Sequence, residues 1–368
     1  MNSIVILIVM IFFSYVLINL LLQYGLSKKH PLLNHQPTVS ILIAARNEEK
    51  YLSTCLDSIT RLKYPSTLME VLILDDHSTD ATSDIARAFA EHHQNFKLIN
   101  IQTTLADLRG KMNALTRGIE QSSGEIILIT DADCRVPPSW VDEFVKYFTA
   151  EVGLSGSMTL LSSAKTPSTI LSSLQNLDWI FLQGIAGGTT ALNLPVSVLG
   201  NNFGFRRQAY NDAGGFQSIG FSLVEDMELM RAIQNKGWRI AYPLRLSTTV
   251  ESEPVLSLKE FYRQRLRWVK GGSKTSAWGY LLMSASFLAH LGILMPFLTD
   301  FVNPVIISGM CSVLLADFIF LFRLLKQFRL KKLMIYFPLF ELFYLLYTIF
   351  FALIFFIPVK VIWKERSF

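Results

Sequence analysis

The distribution of apolar residues limits this chain most. They gather at its two ends, as residues 1–24 and as nearly everything after Ala277, and leave a patterned middle. One water-soluble core cannot bury both blocks, because too little polar sequence remains to cover them. The composition agrees: 51% of the 368 residues are hydrophobic, 27 are Phe, and 17% are charged. The length suits one soluble domain with membrane segments around it.

Ile4–Leu22 is long enough to cross a hydrocarbon core of about 30 Å at about 1.5 Å per residue. No basic stretch precedes it, and Lys28-Lys29 follow where a cleavable leader would carry small residues. It reads as an uncleaved anchor with its N-terminus outside. Three further spans are expected, at about 277–297, 304–323 and 333–358. Lys259, Arg263, Arg265, Arg267, Lys270 and Lys274 precede the first, and Lys326, Arg329, Lys331 and Lys332 lie between the second and third. Both groups belong on the cytoplasmic side, with the Thr299-Asp300-Phe301 link external. Three spans would put Val359–Phe368 outside, against the pull of Lys360, Lys364 and Arg366. The net charge of +5 thus reads as topology signal and headgroup contact, with no nucleic-acid partner. Cys55, Cys134 and Cys311 are too scattered for a disulfide framework or a zinc site, and a reducing compartment fits.

From Thr38 to about Arg245 strand-like and helix-like stretches alternate, which predicts an α/β layer fold. Val39–Ala45, Val71–Leu74, Lys97–Ile101 and Ile126–Thr130 read as strands. Helices are expected from Arg46 through Ile59, over Ala81–His92, and from Lys111 to Gln121. Polar clusters follow the first, second and fourth strands, where open α/β sheets bind ligands.

Asp131-Ala132-Asp133 sets two carboxylates where a buried strand opens into a loop. Hard cations such as Mg²⁺ and Mn²⁺ take oxygen ligands of this kind together with substrate phosphates. A solvated turn is the bland alternative. Asp75 suits a nucleoside contact, while Asp76 and Asp80 suit helix capping. Lys111 follows Gly110 at a helix start and suits a phosphate. Asp226, in the first turn of a helix ending at Asn235, is either a dipole complement or a general base. Gln264, Arg267 and Trp268 fall near one helical face. There Arg267 could fork onto a diphosphate and Trp268 could carry a sugar ring, or the segment could simply be interfacial.

In order, Ala45-Arg46-Asn47-Glu48-Glu49, Asp75-Asp76-His77-Ser78-Thr79-Asp80, Gly110-Lys111-Met112-Asn113-Ala114, Asp131-Ala132-Asp133, Glu225-Asp226 and Gln264-Arg265-Leu266-Arg267-Trp268 resemble the motifs of family 2 glycosyltransferases. The resemblance covers Thr38 to Lys274 and includes ceramide glucosyltransferase-like and processive synthase-like members. Gly200–Arg207 with Gly214-Gly215-Phe216 is similar to the acceptor-side stretch of membrane members. What the resemblance implies is a GT-A domain, a mixed and mainly parallel sheet with helices on both faces. It spans residues 36–275, between an anchor at 1–24 and a membrane region at 276–368.

The donor implied is a nucleotide-sugar, with UDP as the nucleotide. Ala45, Asn47, Glu48, Asp75, Lys111, Asp131, Gln264, Arg267 and Trp268 would hold it. Asp131 and Asp133 would bind Mg²⁺ or Mn²⁺, Asp226 would be the base of an inverting displacement, and Asn202, Gly204 and Glu225 would meet the acceptor. The Pro usual in the first motif is replaced here by the Ala44-Ala45-Arg46 stretch.

The expected reaction is a single transfer to a lipid or lipid-linked acceptor, by a multi-pass protein of the plasma (inner) membrane with its catalytic domain in the cytoplasm. A short processive polysaccharide synthase is the alternative, since the spans carry few of the polar residues that a polymer channel needs. A non-catalytic membrane protein is disfavoured because every expected acid is present. A nicotinamide dehydrogenase is disfavoured because no G-x-G-x-x-G follows the first strand. His290, Asp317 and Glu341, one per C-terminal span, mark a functional hypothesis by default. Asp317 and Glu341 fall about 9 and 12 Å below the cytoplasmic helix ends. With His290 deeper, they read either as neighbours lining the lipid acceptor's way in or, as the favoured alternative, as partners in a helix–helix hydrogen bond.

Overall fold

Val39–Ala45 hides nearly every residue, a pattern that places a strand inside a parallel sheet. The computed structural model describes residues 3–105, 108–164, 169–272, 275–298, 303–357, 359, 362–363 and 366–367. The expected Thr299-Asp300-Phe301 link, Lys274, Lys360 and Lys364 lie outside them. The chain divides into two compact units.

Residues 29–162 and 197–253 form the sheet unit. Its strands are β1 (Val39–Ala45), β2 (Met69–Asp75), β3 (Phe96–Asn100), β4 (Ile126–Asp131), β5 (Val152–Gly156), β6 (Thr159–Leu161), β7 (Asn202–Arg206), β8 (Arg239–Ala241) and β9 (Val250–Ser252). Seven of them make one sheet in the order β3-β2-β1-β4-β7-β5-β8, and β6 pairs with β9. β1 lies parallel to both β2 and β4, while β7 runs antiparallel to β4 and β5. The sheet is therefore mixed and mainly parallel, as expected. Strand order reverses at β1, and ligands collect at the carboxyl ends beside such a switch.

The helices of this unit are α2 (Leu52–Thr60), α3 (Thr82–His92), α4 (Lys111–Gln121), α5 (Trp140–Val145), α7 (Arg207–Asp212), α8 (Gly215–Ile219) and α9 (Glu225–Asn235). Helix α2 begins six residues later than the sequence pattern suggests. Asn47 takes φ 53°, a left-handed conformation that an α-helix cannot contain. Its side chain holds it there, accepting from Thr79 N–H at 2.9 Å while Ser78 Oγ accepts from Asn47 N–H at 3.0 Å.

Residues 1–28, 163–196 and 254–368 form the helical unit. It comprises α1 (Ser3–Ser27), α6 (Ile170–Ala191), α10 (Leu258–Gly271), α11 (Ala277–Ile293), α12 (Met295–Leu298), α13 (Pro304–Gln327) and α14 (Phe337–Phe355). The expected continuous domain over 36–275 is thus interrupted: α6 and α10 pack with the terminal helices. Polar residues along α6 disguise this, because several are buried against their own helix or neighbours. Gln175, for example, donates to Val255 O at 3.0 Å.

Val5, Ile8, Phe12, Tyr15, Asn19, Leu22 and Gly25 form the buried stripe of α1, at helical spacing. Ile4, Leu7, Met10, Phe13, Leu17 and Leu20 on its other faces are exposed and apolar. Such a helix wants lipid or protein all round. Among the described residues three helical stretches, Ser3–Ser27, Pro304–Gln327 and Lys331–Phe355, are long and apolar enough to cross a membrane, and Ala277–Ile293 is a shorter apolar helix. Gly25 lets α1 meet α6 closely, since a Cβ there would collide with Gly188 O. Helix ends are closed by cations. Lys270 donates to Ile354 O, Phe355 O and Ile357 O at 2.9, 3.0 and 2.6 Å, and Arg323 donates to Gln23 O at 2.6 Å.

Candidate active site

The pairing register brings the first polar clusters to one level. Ala45 stands beside Asp75 across β1 and β2, and Ala44 stands beside Asp131 across β1 and β4. The side chain of Ala45 is buried in the core, and its carbonyl accepts from Asp76 N–H at 2.9 Å. Asp75 accepts from Ser78 N–H at 3.1 Å, so it shapes its own loop. Asp80 accepts from Thr82 N–H at 3.0 Å and from Glu49 N–H at 3.2 Å, which ties the start of α3 to the loop after β1. Glu48 N–H donates to Thr82 Oγ1 at 2.7 Å. The loops after β1 and β2 are therefore locked together through Asn47, Glu48 and Glu49.

Lys111 is where three parts of the sheet unit meet. Its Nζ lies 2.6 Å from Asp131 Oδ1, 3.5 Å from Glu225 Oε1 and 3.0 Å from Gly200 O. Burial works against its charge, yet the carboxylates of Asp131 and Glu225 outweigh it and hold the ammonium above the usual lysine range. Asp226 adds to that field. A Cβ on Gly200 would stand 2.9 Å from Asp226 Oδ2, so a larger residue there would push the carboxylate aside. Asp226 Oδ1 accepts from Met227 N–H at 2.8 Å in the first turn of α9, where the helix dipole favours the carboxylate. The cluster is open to water in a graded way: the side chain of Asp131 is 37% exposed, that of Lys111 29%, and that of Glu225 9%.

Asp131 and Asp133 are both half-buried. Asp133 accepts from Cys134 Sγ at 3.4 Å and Ser252 Oγ at 3.5 Å, weak contacts that a hard cation could displace. Burial, reinforced by Asp133 and Asp131, pushes the thiols of Cys55 and Cys134 up, so no thiolate competes for an ion. An oxygen-only donor set of two carboxylates fits Mg²⁺ or Mn²⁺.

Two expected acceptor contacts are corrected by burial. Asn202 is fully buried on β7, donating to Met158 O at 2.7 Å and Thr248 O at 3.0 Å, and accepting from Trp140 Nε1 at 3.0 Å. Gly204 lies mid-strand, where a Cβ would press on Leu128 and Ile127 O. Both build the sheet. Only Glu225 of the three reaches the cluster.

Gln264, Arg267 and Trp268 lie on α10, in the helical unit. Their neighbour Arg265 is fully buried and ion-paired to Asp178 of α6. The guanidinium stacks 4.1 Å from the Trp268 ring centroid, and Trp179 packs 5.2 Å away. One face of Trp268 is therefore occupied from within. Asp178 escaped the motif search, although an acid among Leu177, Trp179, Ile180 and Phe181 was its signal. His290, Asp317 and Glu341 do come together, but His290 is level with the acids, and Asp317 is buried instead of lining a way in.

The profile of glycosyl transferase family 21 matches residues 3–368. The β-monoglucosyldiacylglycerol synthase of Nostoc sp. is 31% identical over 242 residues, 64% of this chain and 49% of that protein. The poly-β-1,6-N-acetyl-D-glucosamine synthase of Staphylococcus aureus is 27% identical over 254 residues, 68% of this chain and 58% of that protein. The chain thus spans about half the length of the curated relatives it matches. A mannosyltransferase of Pyrobaculum calidifontis, solved with GDP-Man and Mn²⁺, superimposes with a TM-score of 0.62 at 19% identity, over 95% of this chain and 96% of that one. The GT-A fold is shared.

Proposed function

Because the chain belongs to glycosyl transferase family 21, we propose that it moves a sugar from a nucleotide-sugar, UDP being the expected nucleotide, to a membrane lipid, with inversion at the anomeric carbon. The observation that carries this reading is the convergence of Asp131, Glu225 and the Gly200 carbonyl on Lys111, with Asp226 adjoining Gly200 at the carboxyl ends of the strands.

The residues divide the work by charge. Lys111 already neutralises carboxylates and would exchange one of them for a phosphate oxygen as donor binds. Asp75, Asn47 and Glu48 sit on the locked loops that a nucleoside would meet, held so that little ordering is needed on binding. Asp131 and Asp133 would hold Mg²⁺ or Mn²⁺, which when bound offsets negative charge on the diphosphate. Asp226 takes the proton from the acceptor hydroxyl as its oxygen bonds to the anomeric carbon. The bond from that carbon to the diphosphate breaks, and its electron pair leaves with the nucleotide. Glu225, buried beside Lys111, keeps the ammonium in place. Gln264, Arg267 and Trp268 are assigned to the diphosphate and sugar by their motif.

A lipid acceptor is supported by the three helices long and apolar enough to cross a membrane. The similarity to a glucosyldiacylglycerol synthase supports it as well. On this reading the protein is multi-pass, and the sheet unit works on the cytoplasmic side. The polymerising alternative rests on the similarity to a poly-N-acetylglucosamine synthase. Membranes carrying the protein, given labelled UDP-sugars with Mg²⁺ or Mn²⁺, should place label in organic-extractable lipid. Label in a polymer favours the alternative, and transfer to neither contradicts both.

A further inference from the structure

Helices α1, α11, α13 and α14 of the helical unit enclose a polar cluster that sugar transfer does not use. The ligand atoms offered by His290, Asp317 and Glu341 all lie within 4.8 Å of one another. His290 and Asp317 are each 1% exposed, and Glu341 is nearly buried. Four of their atoms make no hydrogen bond: His290 Nε2, Asp317 Oδ2, and both carboxylate oxygens of Glu341. In an apolar bundle each such atom is costly unless something binds it.

The surrounding contacts leave those atoms facing one another. His290 Nδ1 lies 2.8 Å from Ser286 O, so Nδ1 carries the proton and, in the neutral ring, Nε2 presents its lone pair. Asp317 Oδ1 accepts from Tyr15 Oη at 2.6 Å and from Asn19 Nδ2 at 3.2 Å, which leaves Oδ2 as the open oxygen. Tyr15 and Tyr344 pack edge-on against the imidazole and fix its plane. A histidine whose second nitrogen donates to a backbone carbonyl, beside a carboxylate held by outer partners, is the arrangement that orients metal ligands.

We propose that His290 Nε2, Asp317 Oδ2 and Glu341 hold one divalent transition-metal ion, Zn²⁺ foremost, that ties α11, α13 and α14 together. Helix α1 is joined through the hydrogen bonds of Tyr15 and Asn19 to Asp317. Spacing argues for it over a plain ion pair. Nε2 is 3.5 Å from Asp317 Oδ2 and 3.7 Å from Glu341 Oε2, too far for charged hydrogen bonds. Two atoms each about 2.1 Å from a tetrahedral ion are about 3.4 Å apart. A dication with a neutral imidazole and two carboxylates leaves no net charge in the bundle, and so does an imidazolium with one carboxylate and one protonated acid, so the spacing is what separates the two. The mixed nitrogen and oxygen set selects a borderline ion over Mg²⁺.

The test separates this site from the carboxylate pair of the sheet unit. The full-length protein carrying Asp131→Asn and Asp133→Asn is loaded with ZnCl₂ in detergent, desalted, and its metal is counted by mass spectrometry. About one Zn²⁺ per chain is expected to remain, falling at least tenfold when His290→Gln and Glu341→Gln are added. Size-exclusion profiles show whether the variants stay folded. If they do not, X-ray absorption on the unmutated cluster decides, since one imidazole and only oxygen ligands besides are expected. No retained zinc overturns the proposal. Retention unaffected by His290→Gln with Glu341→Gln in folded protein overturns it too, as does a zinc shell without imidazole.

Discussion

The cluster around Lys111 and the pair formed by Arg265 with Asp178 use the same chemistry to opposite ends. Lys111 holds Asp131 at a strand end and Glu225 at the start of α9 with its side chain 29% exposed, so a ligand's charge can replace one of its own. Arg265 and Asp178 are 1% and 0% exposed, and aromatic rings surround the guanidinium. Nothing dissolved in water reaches them. An open ion pair is a site held ready for exchange, while a sealed one fixes helices. The difference lies in solvent access, not in residue type.

That contrast can be broken most forcefully at the sealed pair. Arg265→Met should strand Asp178 in the helical unit and cost about 3–5 kcal/mol of stability. The double variant Arg265→Met with Asp178→Leu should recover much of that loss. Thermal unfolding in detergent measures both, and equal losses in the single and double variants would mean the pair is not what holds α6 to α10. At the open cluster the sign of the trade reverses. Lys111→Met should lower kcat/KM for transfer about 100-fold, with a smaller shift in melting temperature than Arg265→Met produces. A collapse in stability without donor dependence would make Lys111 structural.

The smallest effect sharpens the comparison with a third, half-open group. Glu70 on β2 is paired to Lys97 at 2.9 Å and accepts from Ser123 N–H at 2.6 Å and Ser40 Oγ at 2.7 Å. Burial alone would raise its pKa, but these partners lower it to about 2. The unfolded carboxyl binds its proton near the ordinary value of about 4.3, so it takes up protons before the folded one does. Its contribution is full above that value and fades as pH falls toward 2. The stability difference between the protein and Glu70→Gln should shrink over that window, and a constant difference would rule the linkage out.

Much of the sheet unit was legible because buried parallel strands leave apolar runs that end in polar clusters. Val39–Ala45 and Ile126–Thr130 were readable in this way, and Asp75 and Asp131 fell at the ends that the register aligns. The helical unit was less legible because its order comes from distant contacts. Tyr15 meets Asp317 across 302 positions, and nothing local predicts that. Depth along separate spans paired Asp317 with Glu341 but misplaced His290, because α13 runs on to Gln327 and the last helical stretch starts at Lys331, which sets both acids deeper than expected. Asn202 and Gly204 lie beside residues at the site, yet the alternation of a strand turns them into the sheet.

The central claim is that Asp226 removes the acceptor's proton while Lys111, Asp131 and Asp133 hold the donor. Single-turnover transfer from a labelled nucleotide-sugar, with donor affinity measured on the same preparation, tests it most directly in Asp226→Asn. The rate should fall about 10³-fold while donor affinity stays within about twofold. Transfer at the unaltered rate would contradict the account.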